Sequence, residues 1–201
     1  MLKKTISGIC AGIAILLGCS VFLACENTYV GAVLFSVALL CICCKGYALF
    51  TGRVGYIPEK HGREEVEGLL LALFGNAIAT CLLGMLIAKA LPNLAEKAAT
   101  ICTKKLTQTP FQTLVRGIFC GVLMYLAVSI YRDKNTSLAI LFCVPVFILS
   151  GFEHSIADMG YFAMSGIVSG KAFVFLWLVI IGNSIGGMLL PFLSQIGGKG
   201  K

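Results

Sequence analysis

Charge is scarce in this chain. Asp, Glu, Lys and Arg make up 12% of its 201 residues, and only nine are acidic. With 58% hydrophobic residues and a mean hydropathy of +0.94, that scarcity excludes a soluble domain. A clustered basic face is also missing. The 16 Lys and Arg fall in short loops between apolar runs, which excludes a nucleic-acid surface despite a net charge of +7. The third absence is a polar stretch after the first apolar run. Met1-Leu2-Lys3-Lys4 and the residues up to Cys19 imitate a lipoprotein leader, but Val21-Phe22-Leu23-Ala24 stays apolar, so a first transmembrane helix is expected instead.

What is plentiful agrees. The 23 glycines suit transmembrane helices, which approach closely through small residues. Ten cysteines suggest a disulfide scaffold at first sight. However, Cys10, Cys19, Cys41, Cys43, Cys44, Cys81, Cys120 and Cys143 lie in apolar runs, where a thiol behaves as a small hydrophobe. No metal or cofactor is expected from them.

Crossing the hydrocarbon takes about 20 apolar residues, and six segments qualify: 6–25, 29–56, 68–91, 111–131, 137–166 and 172–193. The fourth opens on Thr109-Pro110, an N-cap followed by proline at the first helical position. The third closes before Pro92. The second and fifth are too long for one span and carry charge and glycine near their middles. Each reads as two half-helices around an unwound stretch, with Pro145 bending the fifth.

The two halves of the chain resemble each other. Gly8-Ile9-Cys10-Ala11-Gly12 matches Gly117-Ile118-Phe119-Cys120-Gly121, and Gly75-Asn76-Ala77-Ile78 matches Gly182-Asn183-Ser184-Ile185. Gly46 to Gly52 takes the place of Gly151 to Ala157. With three spans in each half, the second half enters the membrane inverted, a plan that many transporters share. The expected fold is therefore an all-α membrane protein of one domain, 1–201, with repeat one about 1–92 and repeat two about 107–195. Lys3, Lys4, Arg53, Lys60, Arg63, Arg132, Lys134, Lys199 and Lys201 fall on one side of the membrane. Lys89, Lys97, Lys104, Lys105 and Lys171 fall on the other, so the positive-inside rule puts both termini in the cytoplasm.

Against this background Gly151-Phe152-Glu153-His154-Ser155-Ile156-Ala157-Asp158 stands out, with three ionisable side chains at membrane depth. Such groups persist where they face a pore, a partner or a water-filled cavity. His154, with an unperturbed pKa of about 6.5, suits proton handling there. His154 and Asp158 are four apart, so Asp158 is expected to fix the imidazole. Glu153 is expected to brace Lys45 or backbone N–H groups at the break.

Leu49-Phe50-Thr51-Gly52, Gly151-Phe152-Glu153-His154-Ser155-Ile156-Ala157 and Gly182-Asn183-Ser184-Ile185-Gly186-Gly187 together resemble the formate/nitrite transporter family. The resemblance covers nearly the whole chain. It implies an aquaporin-like six-helix protomer in the inner membrane, a homopentamer in the lipid bilayer, and a pore in each protomer. The implied cargo is a small monovalent anion such as formate, nitrite, hydrosulfide or a short-chain carboxylate, often moving with a proton. It implies neither enzyme activity nor a cofactor. By the same resemblance His154 is the central pore residue, Thr51 its partner and Asn183 its neighbour, with Asn76 a supporting residue. Leu49 and Phe50 form one apolar constriction, Phe35 and Phe147 the other, and Lys105, or Lys104 in the adjacent register, gathers anions in a vestibule. Three departures bear on the cargo. Ala48 stands where a carboxylate is common, Asp158 stands where asparagine is usual, and the stretch from Pro145 to Gly151 is about two residues short.

Two other classes of function compete with a channel for anions. A facilitator of ammonia or urea fits the membrane composition, whereas the paired Asn-Pro-Ala motifs of water and glycerol channels are absent. An intramembrane serine hydrolase would pair Ser165 with His154, but Ala163 spoils the nucleophile context.

Overall fold

A computed structural model of the chain describes residues 1–198; Lys199 and Lys201 lie outside the described residues. The described residues form nine α-helices and no strand: α1 (Leu2–Ala24), α2 (Thr28–Lys45), α3 (Phe50–Arg53), α4 (Arg63–Ala90), α5 (Pro92–Lys105), α6 (Pro110–Lys134), α7 (Leu138–Leu149), α8 (Ser155–Ser165) and α9 (Gly170–Ile196). Five of them, α1, α2, α4, α6 and α9, are long and apolar enough to cross a membrane. Their outer faces are apolar too, with Phe74 61% and Phe173 64% exposed, which water would disfavour and lipid accepts. The chain is an all-helical, multi-pass membrane protein.

Local chemistry sets the helix ends. The Asn27 side chain accepts from the Tyr29 and Val30 N–H groups and starts α2. Thr109 and Gln112 form a reciprocal capping box ahead of α6, with Pro110 at its first position. Pro92 ends α4 as expected but also opens α5, a helix the hydropathy reading does not contain. Leu94, Ala98 and Cys102 form its buried stripe at intervals of four, so α5 lies against the other helices with its polar face outward. Lys97 Nζ donates to Leu23 O at 2.8 Å, which ties α5 to the end of α1.

The expected fifth span is divided into α7, 12 residues, and α8, 11 residues, each too short to cross alone. The link repeats, residue for residue, the one between α2 and α3. Gly46 and Gly151 both take the left-handed conformation, with φ of 68° and 70°, which glycine enters without a Cβ clash. One residue later, Tyr47 N–H donates to Ile42 O at 3.0 Å and Phe152 N–H to Phe147 O at 2.9 Å. Extended residues follow, and the chains re-enter helix at Phe50 and Ser155.

Helix pairing follows the glycines. A Cβ on Gly8 would sit 2.7 Å from Ala72 O, and one on Gly182 would sit 2.7 Å from Leu114 O. These contacts press α1 onto α4 and α6 onto α9. Each pair delivers one asparagine to one link. Asn76 on α4 accepts from Phe50 N–H at 2.9 Å and donates to Ala48 O at 2.9 Å and Gly8 O at 2.7 Å. Asn183 on α9 accepts from Ser155 N–H at 2.9 Å and donates to Glu153 O at 2.8 Å and Gly117 O at 2.9 Å. Backbone groups that neither half-helix can satisfy are thereby bonded where water is scarce.

Candidate functional site

His154 closes the link before α8 and is 2% exposed. As N-cap of that helix, its side chain accepts from the Ala157 N–H through Nδ1 at 3.1 Å. A backbone N–H can only donate, so Nδ1 carries the lone pair and the neutral ring holds its proton on Nε2. Nε2 lies 2.8 Å from Thr51 Oγ1 and donates to it. The Thr51 hydroxyl proton is left to point elsewhere. The Phe147 ring stacks on the imidazole at 5.7 Å, and Phe35 meets Phe147 edge-on at 6.1 Å.

Two cavities flank this group. One, about 520 Å³, has Lys4, Arg53, Lys60 and Arg132 in its wall against Glu64 and Glu65, Lys4 being paired with Glu64 at 3.3 Å, with Leu49 at its inner end. The other, about 570 Å³, is bordered by Lys104, Lys105, Arg116 and Phe22, with Phe35, Phe147 and His154 inward. No residue borders both. Lys4 and Phe22 stand at opposite ends of α1, about 27 Å apart at the helical rise, so the cavities open toward opposite ends of the bundle. Between them the described side chains are Leu49 on one side and the Phe35–Phe147 pair on the other, around Thr51 and His154.

Lys105 departs from the expected free vestibule cation. Its ammonium is ion-paired with Glu153 and lies 2.9 Å from Asp158 Oδ1. Burial opposes the charge, but Asp158 and Glu153 outweigh it and hold the amine above the ordinary lysine range. Gln108, which the sequence reading passes over, donates to the second Glu153 oxygen at 2.6 Å. Glu153 therefore does not brace Lys45, which sits in the last turn of α2 and is exposed. Asp158 does not fix the imidazole either, because both ring nitrogens are occupied by Thr51 and Ala157. Four-residue spacing predicts a shared face only on continuous helix, and His154 lies before the first turn.

Other expected residues fall around rather than in the path. The Asn183 amide is fully bonded to backbone, as is that of Asn76, and neither borders a cavity. Phe50 is 3% exposed and packs away from both cavities, leaving Leu49 alone at that end. Lys104 borders the second cavity beside Lys105 and is exposed. Ser165, ten residues along α8 from Ser155, donates to Phe162 O at 2.9 Å and has no imidazole partner. Arg53, whose guanidinium donates to Gly46 O at 3.2 Å, and Arg132, which covers the Tyr56 ring at 4.4 Å, enter the sequence reading only as charges on one side of the membrane.

Comparison with known proteins bears on the family and the fold. A family model described as formate/nitrite transporter matches residues 1–196. Among curated proteins, the chain is 26% identical over 191 residues to the formate-nitrite transporter of Plasmodium ovale, covering 82% of this chain and 61% of that one. It is 28% identical over 182 residues to the nitrite transporter NirC of Salmonella typhimurium, covering 80% of this chain and 67% of that one. The chain thus spans about 61% to 67% of the length of these relatives. Among solved structures, a pentameric formate channel with formate bound superposes with a TM-score of 0.81 at 24% identity, covering 97% of this chain and 96% of that one. An ion channel of the same family superposes with a TM-score of 0.79 at 21% identity, covering 98% of this chain and 88% of that one.

Proposed function

The chain belongs to the formate/nitrite transporter family, and we propose that it passes a small monovalent anion between the two cavities, past Thr51 and His154. The carrying observation is the order of surfaces along that line: a cavity richer in cations than in carboxylates, Leu49, the Thr51–His154 pair, the Phe35–Phe147 pair, and a second cavity with Lys104 at its mouth. The cations at each mouth raise local anion concentration. The apolar rings then reject a bare anion but admit its neutral conjugate acid, because only the charged form carries a large desolvation cost. His154 polarises Thr51 by donating to Oγ1, which makes the hydroxyl a better donor to an oxyanion between the rings. Formate, nitrite, hydrosulfide and short-chain carboxylates fit this description.

The matched Gly46 and Gly151 links, with their matched asparagines, support a protomer of two inverted repeats in which α2–α3 and α7–α8 each cross as one broken span. That gives six crossings in all. The exposed apolar faces and Gly-rich helices support assembly through small-residue surfaces, here read as a homopentamer with one path per protomer. The excess of Lys and Arg beside the first cavity supports a cytoplasmic side for it and for the N-terminus, in a protein of the inner membrane.

The test is uptake by proteoliposomes under a set pH gradient, with formate, nitrite, hydrosulfide and acetate offered separately. His154→Asn is the informative variant, because asparagine is a good N-cap and keeps the Ala157 bond while removing the imidazole contact to Thr51. Folded protein with reduced anion flux is expected. Urea or ammonia flux without anion-linked pH change would favour a neutral-solute facilitator instead.

A further inference from the structure

In the second cavity one ammonium faces two carboxylates. Lys105 engages Glu153 and Asp158 Oδ1, and Gln108 engages the other Glu153 oxygen. Three of the four carboxylate oxygens therefore have partners. The fourth, Asp158 Oδ2, is buried and has no hydrogen-bond partner among the described residues, in a side chain only 1% exposed. An ionised oxygen stranded in this way is far more costly than a neutral O–H in the same place.

The charge count gives the same answer. With Lys105 protonated, the cluster carries a net negative charge if both acids are ionised, and none if one holds a proton. The other titratable groups around Asp158 do not alter this. They are Cys19 from α1, Cys102 from α5, Cys120 from α6 and Tyr161 from α8 itself, none of them cationic. Arg116 from α6 borders the same cavity near Gly151, and Lys104 is at its exposed mouth. Neither is paired with Asp158. His154 is neutral in the hydrogen-bonded form described above.

We propose that Asp158 Oδ2 is the proton-holding site of this path and gives its proton to the permeating anion just before the Phe35–Phe147 pair. The idea rests on the anion reading of the preceding subsection. The O–H bond of Asp158 breaks and an O–H bond (S–H for hydrosulfide) forms on the anion, with no change of oxidation state. Neutral acid moves on, Lys105 holds the carboxylate left behind, and a proton from cavity water restores it. The cargo is thereby limited to anions of weak acids. Chloride and nitrate, whose conjugate acids are strong, cannot take the proton.

The full chain, Asp158→Asn and Glu153→Gln are compared in proteoliposomes containing a pH dye. Formate is the probe, chloride the strong-acid control, and protein-free liposomes the background. Wild-type protein should acidify the lumen with formate, faster at lower external pH, and should pass little chloride. Asp158→Asn should slow formate at least tenfold and flatten the pH profile. Infrared spectra of the reconstituted protein should show a protonated-carboxyl band that Glu153→Gln keeps and Asp158→Asn loses. A wild-type rate and pH profile in folded Asp158→Asn would overturn the proposal. So would a wild-type spectrum without that band, or a band that Glu153→Gln abolishes; these readings stand even if Asp158→Asn does not fold. If wild-type protein moves none of the four weak-acid anions, the transport reading fails, and the infrared comparison alone judges the Asp158 site.

Discussion

Replacing Asn183 by alanine removes three hydrogen bonds at once and tests whether the two links are held by the same device. Gly117 O lies inside α6 and keeps its intrahelical donor, so its loss is minor. Ser155 N–H and Glu153 O belong to the link and lose the partner described for them. A buried polar group left unmade costs about 1–3 kcal/mol, so two give about 2–6 kcal/mol. Membrane double-mutant cycles average only about 0.6 kcal/mol per bond, because the unfolded state in lipid finds other partners, which sets a floor of about 1.2 kcal/mol for the two link bonds. Asn76→Ala removes the matching set from Phe50 N–H, Ala48 O and Gly8 O, and should fall in the same window. Both can be measured by reversible unfolding in mixed micelles, following helicity. A loss below about 1 kcal/mol in either variant would show that the link finds other partners. A large loss in one and none in the other would break the equivalence of the two halves.

Lys105→Met strands the buried Glu153 carboxylate and should cost about 3–5 kcal/mol, with Glu153→Gln added on top restoring more of it than Asp158→Asn in the same unfolding assay. Phe147→Ala opens the inner end of the second cavity; acetate uptake should rise severalfold relative to formate, and an unchanged ratio would remove Phe147 from the constriction. Lys104→Gln should slow formate uptake at low ionic strength and matter little once screening shortens to about 8 Å near 0.15 M salt, so a salt-independent loss would indicate direct contact. Gly182→Leu drives a side chain into the α6 backbone at Leu114 and should abolish folded protein by size-exclusion profile, whereas Gly170→Ala, with open space around it, should not.

Much of this architecture is legible because the membrane penalises irregular backbone so heavily. Gly46 and Gly151, Asn76 and Asn183, and Gly8 and Gly117 stand in matching positions, and each matched pair has the same backbone task in the structure. The Thr51–His154 contact is the one that the family resemblance implies. The ion pairs do not. From sequence, Glu153 is expected to brace Lys45 or backbone N–H groups at the break, whereas its ion-pair partner comes from α5, a helix too polar to register as a span. Its signal was present as Leu94, Ala98 and Cys102 after Pro92, a one-sided stripe that a search for about 20 apolar residues does not detect. The family resemblance makes Asn183 a neighbour of the central histidine. Nothing in a sequence shows that all its polar atoms are already bonded to backbone.

The two links share a backbone, yet their side chains divide the work. Where the second link has Glu153, His154 and Ser155, the first has Ala48, Leu49 and Phe50, and its N-cap position makes no side-chain bond. A cap is not needed to build the turn, since the first link forms without one. His154 is therefore explained only in part by folding. Asn76 and Asn183 already hold both links in the same way, so the Ala157 bond does more to fix the ring than to fix the chain. With Nδ1 held by the backbone, the only freedom left to the imidazole is the proton on Nε2, aimed at Thr51 of the other link. A ring held like that makes a steady donor and a poor proton carrier, because protonating Nδ1 would break the cap. Proton traffic then belongs to another group, and among the described residues the buried carboxylate oxygen without a partner lies one helical turn further on, at Asp158.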